Sequence, residues 1–97
     1  MKQLFAALLL LGSMLSSAPA LADTWEFNWD RPGFDYRNFD LQSERPVVCQ
    51  WQCQKDSRCR AWTYVRPGIQ GPNPRCWLKH RVPNPVRSNC CTSGIIQ

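Results

Sequence analysis

The chain has 97 residues, with 6 Cys, 5 Trp and 8 Pro, and 12 Lys plus Arg against 7 Asp plus Glu for a formal charge of +5. That length holds one domain with a small core. It excludes a dinucleotide-binding enzyme, a barrel and a long helical bundle.

The first element in chain order reads as an export signal. Lys2 supplies a positive start, Leu4 to Leu11 an apolar run, and Ala20-Leu21-Ala22 a small-x-small cleavage pattern. Such a run is too short to cross a hydrocarbon core of ~30 Å, and no Cys stands near the cut to carry a lipid. Residues 1–22 are therefore expected to be removed and residues 23–97 to form a single released domain, periplasmic or secreted. All six Cys survive that cut, which makes Cys about 8% of the mature chain, the density of a disulfide scaffold in an oxidising compartment. A domain this small buries too little apolar surface to offset chain entropy comfortably, so covalent cross-links are expected to contribute.

Trp25, Phe27 and Trp29 alternate with Thr24, Glu26 and Asn28, the period-two pattern of a half-buried strand over residues 24–29. Arg31-Pro32-Gly33 interrupts it. Phe34 to Leu41 fits neither period and reads as an irregular extended segment. A short helix is expected over about residues 46–55, with Pro46 in the first turn, where its missing N–H costs nothing. Ser43 or Glu44 just upstream could satisfy its free amides. Cys49 and Cys53, four apart, share one helical face. Cys59 to Val65 is strand by composition, with Cys59, Ala61, Thr63 and Val65 facing one way and Arg60, Trp62 and Tyr64 the other. Residues 66–75, with three Pro and two Gly, can only be a long connection. Cys76 to Lys79 returns as a strand, residues 80–89 form a second Pro-containing loop, and Cys90 to Ile96 closes an antiparallel sheet.

Six Cys allow 15 pairings, which spacing alone cannot resolve. A bond between the neighbours Cys90 and Cys91 would close almost no chain, so its purpose would be local shape or redox response. Zinc is disfavoured, because C-x3-C followed by C-x5-C is not a knuckle spacing. Thiol catalysis would want C-x2-C at a helix N-terminus. His80, the single His, lies between Lys79 and Arg81 with no orienting carboxylate in view, which is a poor setting for a general base. No Gly-rich phosphate loop is present, and the basic residues are spread too evenly for a nucleic-acid stripe. The reading is a non-enzyme with no catalytic residues, no metal, no cofactor, no nucleic-acid partner and no membrane insertion.

The run C-x3-C-x5-C-x-A-W-T-Y-V (Cys49, Cys53, Cys59, Ala61 to Val65) followed by C-W-L-K (Cys76 to Lys79) resembles the PAN/apple domain, in its small bacterial secreted form. Asp30-Arg31-Pro32-Gly33, the Asp35-Tyr36 and Phe39-Asp40-Leu41 pieces, and the late Cys90-Cys91-x-Ser93-Gly94 add to the likeness. The resemblance implies a disulfide-rich α+β module, one short helix packed across a curled antiparallel sheet. It also implies the bridges Cys49–Cys76 and Cys53–Cys59. The outer bridge of animal plasma apple domains has no counterpart here, because residues 23–48 hold no Cys. Cys90 and Cys91 are then left to bond to each other, or one of them re-pairs with a helix Cys.

Five Trp cannot all fill so small a core, and a partly exposed aromatic beside Arg is the composition of a recognition surface. Arg60, Arg66 and Arg75 bracket the long loop, so Arg60, Tyr64, Arg66, Ile69, Gln70 and Arg75 are the candidate ligand contacts. The resemblance supplies the ligand class, a protein or a glycan. Two other readings stay open: a small secreted inhibitor or effector that plugs a cleft with loop 66–75, and a redox-responsive protein that uses Cys90 and Cys91.

Overall fold

The computed structural model describes residues 24–97, and the expected export signal at residues 1–22 lies outside the described residues. Five strands form one antiparallel sheet: β1 Thr24–Asp30, β2 Asp35–Asp40, β3 Ala61–Val65, β4 Arg75–Lys79 and β5 Val86–Ile95. Their spatial order is β1-β5-β3-β4-β2, so β1 and β2 are the edges. Among the described residues a single helix, α1 (Pro46–Gln54), packs against β3 and β4. The fold is thus the disulfide-rich α+β module of one helix on one sheet.

Sequence chemistry explains the helix. Arg45 is extended, as the residue before a proline prefers to be, and Pro46 occupies the first turn. No side chain caps the amides; the Ser43 hydroxyl instead accepts from the Arg45 N–H at 3.2 Å. Cys49 and Cys53 both point at the sheet and are fully buried. One joins Cys76 on β4, the other joins Cys59 just before β3. Leu41, Trp62, Tyr64 and Leu78 complete the core around these four sulfurs. The bridge between Cys49 and Cys76 spans 27 residues and contributes about 3.6 kcal/mol through loop closure, whereas the Cys53–Cys59 bridge, spanning 6, contributes about 2.3.

Four sequence expectations change. Residues 35–40 form a true edge strand, because β4 presents a complete ladder from Arg75 to Lys79 for them to pair with. The last strand starts at Val86, inside what composition marks as loop, since Val86 and Arg87 pair with Asp30 and Trp29. Cys59 does not share a face with Thr63 and Val65. It precedes the first β3 residue, and its sulfur turns to the helix side with Trp62 and Tyr64. The Trp25-Phe27-Trp29 alternation is also broken: the register shifts between Phe27 and Trp29, where Asn28 takes a positive φ of 67°. Asn tolerates that left-handed conformation at low cost. Opposite this irregularity, Ser88 to Cys91 of β5 have no partner on β1.

Close packing fixes Gly94 for a reason independent of its own φ. A Cβ there would sit 2.5 Å from the Trp62 ring and 2.5 Å from the Thr24 carbonyl oxygen. Trp62, fully buried, therefore packs directly against Gly94, with Trp25 edge-on to it at 5.7 Å between centroids. The turn between β1 and β2 is fixed by Arg31, which bonds both carboxylate oxygens of Glu26 and the Pro83 carbonyl.

Candidate functional site

Among the described residues, a concave region lies on each face of the sheet. The larger, about 360 Å3, lies on the helix side, between Pro46 at the start of α1 and the row Phe27, Thr92 and Tyr64 across β1, β5 and β3. Arg66 and Pro67 from the loop after β3 form its outer wall, and Glu44 lies at its rim. Two aromatic rings, Phe27 and Tyr64, and two prolines, Pro46 and Pro67, give the lining its apolar part. Phe27 is 73% exposed and Trp25, two residues earlier on β1, is 46% exposed. Trp25 is held in place because its indole N–H donates to Gln50 Oε1 at 2.8 Å.

Tyr64 is buried and its hydroxyl donates to the Glu44 carbonyl at 2.8 Å, so the ring shapes the groove while its polar handle anchors the segment leading into α1. Burial, with the Glu44 charge as a lesser cause, pushes its pKa above the usual tyrosine value and keeps the hydroxyl neutral.

The second region, about 230 Å3, lies on the helix-free face. Thr63 and Val65 of β3 and Trp77 and Lys79 of β4 form its floor; Asp35 and the Pro32-Gly33 turn stand on one side and Gln70 on the other. Lys79 is buried and reaches Asp35 at 2.5 Å and the Gly33 carbonyl at 3.4 Å, which offsets the cost of an enclosed ammonium. The Trp77 indole N–H donates to Gln70 Oε1 at 2.8 Å, tying the long loop to the sheet. Thr63 and Ser93 hydroxyls bond at 2.9 Å, and Ser93 also donates to the Trp29 carbonyl.

The six candidate contacts fall in different places. Tyr64 and Arg66 belong to the helix-side groove, Gln70 to the opposite cleft. Ile69 is exposed on the loop between them. Arg75 is paired to Asp40 at 2.7 Å and to Asn38, which staples β4 to β2. Arg60 is exposed just before β3, where its N–H donates to the Lys79 carbonyl. Sequence reasoning missed Phe27, Pro46 and Pro67 as one wall, because they meet only through cross-strand register.

A third cluster joins β2 to the end of α1. Arg58 bonds the Asp56 carboxylate, at 3.3 Å from Nε and 3.2 Å from one terminal nitrogen, and stacks over the Tyr36 ring at 4.6 Å. The Arg58 side chain and backbone N–H, both bonded to its carboxylate, hold the Asp56 carboxyl down to about 2. Burial, with the nearby Asp56 charge as a lesser cause, pushes Tyr36 up to about 12. No group of three or more His, Cys, Asp or Glu able to hold a metal ion occurs among the described residues. No described helix is long and apolar enough to cross a membrane.

A helix on an antiparallel sheet, cross-linked by disulfides and hollowed on both faces, belongs to the class of small disulfide-stapled α+β modules. The chain is a member of the PAN domain family: the family model, described as PAN domain, matches residues 29–79, more than half of the sequence. Domains of this family are generally protein- or carbohydrate-binding modules and are typically non-catalytic. The match ends at β4, so β5 and its two cysteines lie beyond it. No curated protein and no solved structure matches the chain.

Proposed function

We propose that the protein is an exported, non-catalytic binding module that takes a polypeptide ligand in the helix-side groove. The observation that carries this reading is Phe27, a large aromatic of the groove lining left mostly open to solvent. Trp25, two residues earlier and about half exposed, extends the aromatic surface beside the groove on a strand held by β5 and by the Trp25–Gln50 bond. Rigid aromatic anchors beside an Arg lose little ordering entropy on binding and supply most of the contact energy at protein interfaces. Arg66 adds a charged donor at the rim, and Glu44 an acceptor. Export is supported by the charged, apolar and small-x-small order of residues 1–22 and by a core built on buried disulfides.

A second reading is favoured by the opposite cleft. Trp77 stands there among a carboxylate, an amide and a hydroxyl from Asp35, Gln70 and Thr63, the set that suits a sugar ring with an apolar face and equatorial hydroxyls. One experiment separates the two. Peptides selected from a displayed random library should bind the wild-type protein and lose at least tenfold in affinity with Phe27→Ala or Arg66→Ala, while Trp77→Ala leaves them bound. Retention on polysaccharide beads that is lost with Trp77→Ala alone would overturn the peptide reading in favour of the glycan one.

A further inference from the structure

The three disulfides differ sharply in access. Cys49, Cys53 and Cys76 are fully buried and Cys59 is 4% exposed, all within the helix-side core. Cys90 and Cys91 are bonded to each other on β5, in the stretch left unpaired by β1, and Cys90 is partly open to solvent. Both cysteines line the sheet-face cleft, and Cys91 also lines the helix-side groove, so this one bond borders both concave regions. The Cys90 carbonyl accepts the Arg66 N–H at 3.0 Å, and Cys91 pairs with Val65. The Ser88 hydroxyl donates to Cys90 Sγ at 3.1 Å.

We infer that Cys90–Cys91 is a reversible dithiol/disulfide centre, opened by a dithiol reductant at the sulfur of Cys90, the more exposed residue of the pair, while the core bridges stay closed, and that its state sets the walls of both concave regions. One thiolate of the reductant attacks Cys90 Sγ. A mixed disulfide forms, the bond to Cys91 breaks, and its electron pair leaves on Cys91 Sγ, which takes a proton from water. The reductant's second thiolate then attacks its own sulfur in the mixed disulfide. Cys90 departs as a thiolate, stabilised at that moment by the Ser88 hydroxyl, and is protonated in turn. The reductant leaves as a cyclic disulfide, so two electrons and two protons have passed to the protein.

Opening this bond frees almost no chain, so the fold persists. What changes is local: two side chains fused in one ring become two thiols with independent rotamers, beside the backbone that carries Arg66. The consequence for ligand binding rests on the groove reading above, whereas the selective opening does not.

The test uses the exported form of the protein, residues 23–97, titrated with dithiothreitol under native conditions. Samples are quenched with N-ethylmaleimide and mapped by mass spectrometry, with 1H–15N spectra recorded in parallel. At the first equivalent, Cys90 and Cys91 should be alkylated together at least tenfold more than the other four cysteines. The Arg66 amide and the Trp77 indole resonance should shift, other signals keep their dispersion, and reoxidation should restore the starting spectrum. A Cys90→Ser/Cys91→Ser variant should ignore the reductant. Reduction of a core bridge first, or of all three together, overturns the proposal, as does opening of Cys90–Cys91 with Arg66 and Trp77 unmoved. Peptides that fail to bind either redox state, with selective opening intact, would remove the groove reading and leave the redox centre standing.

Discussion

The helix side of β3 and β4 and the seam where β5 leaves β1 use the same covalent bond for opposite purposes. In the first region, two bridges join segments 27 and 6 residues apart and are sealed among Trp62, Tyr64 and Leu78. There the sulfur is structural, because it removes freedom from the unfolded chain and fills the centre of a small core. In the second region the bond joins neighbours, removes almost no freedom, and borders both concavities. Loop length and burial, not the presence of a disulfide, decide what each bond contributes.

The sharpest way to break this comparison is to remove one bond from each region. Replacing Cys49 and Cys76 together by Ser should lower stability by about 4 kcal/mol, or about 20 °C in melting temperature for a domain of this size. The Cys90→Ser/Cys91→Ser variant should melt within about 0.5 kcal/mol of wild type. Likewise, Cys53→Ser should be far more damaging than Cys91→Ser. Equal melting of the two single variants, followed by circular dichroism, would erase the distinction.

Next in size is Gly94→Ala. Its methyl group would collide with the Trp62 ring and the Thr24 carbonyl, so about 2–3 kcal/mol should be lost in urea unfolding. A companion Gly68→Ala should cost less, since no atom lies in the way and the only penalty is an alanine held at a positive φ of 89°.

Asp35→Ala tests the helix-free face. It leaves the buried Lys79 ammonium with a single contact, the Gly33 carbonyl, and should cost on the order of 2 kcal/mol, less than a fully enclosed pair because Asp35 is 31% exposed. Lys79→Met should recover most of that loss, which denaturant midpoints would show.

The smallest effect is a pH dependence at the edge of the core. The folded carboxyl of Asp56 is held near 2, below its ordinary 3.8. Its contribution is therefore in full force above pH ~4 and lost as the pH falls towards 2. Tyr36 acts in the other direction. Its folded value near 12 lies above the usual 10.0, so its stabilisation is present below pH ~10 and lost as the pH climbs to 12. Asp56→Asn should flatten the acid limb of a stability profile measured between pH 4 and 2 and leave the core bridges intact.

Much of the frame can be read from residue order. Pro46 sets the first turn of α1, the four-residue spacing of Cys49 and Cys53 aims both at one surface, and the β-branched and aromatic run ending at Val65 makes a central strand. Those signals are local, and local signals survive in sequence. Edge strand β2 is different: Asp35 to Asp40 is mostly polar and exposed, so its strand character comes from the β4 ladder beside it. The beginning of β5 is invisible for the same reason.

The surfaces are less legible than the frame. Tyr64, Arg66, Ile69, Gln70 and Arg75 are close in sequence around one loop, yet the sheet sends Tyr64 and Gln70 to opposite faces and commits Arg75 to Asp40. Phe27 reaches Tyr64 only through the registers β1–β5 and β5–β3. Composition and spacing by themselves pointed to a small, sulfur-stapled frame with a short helix and several strands, because a core this small gains from cross-links that restrict the unfolded chain. Which side chains share a cleft was decided by tertiary structure alone, since strand order and register bring together residues whose separation along the chain carries no trace of the meeting.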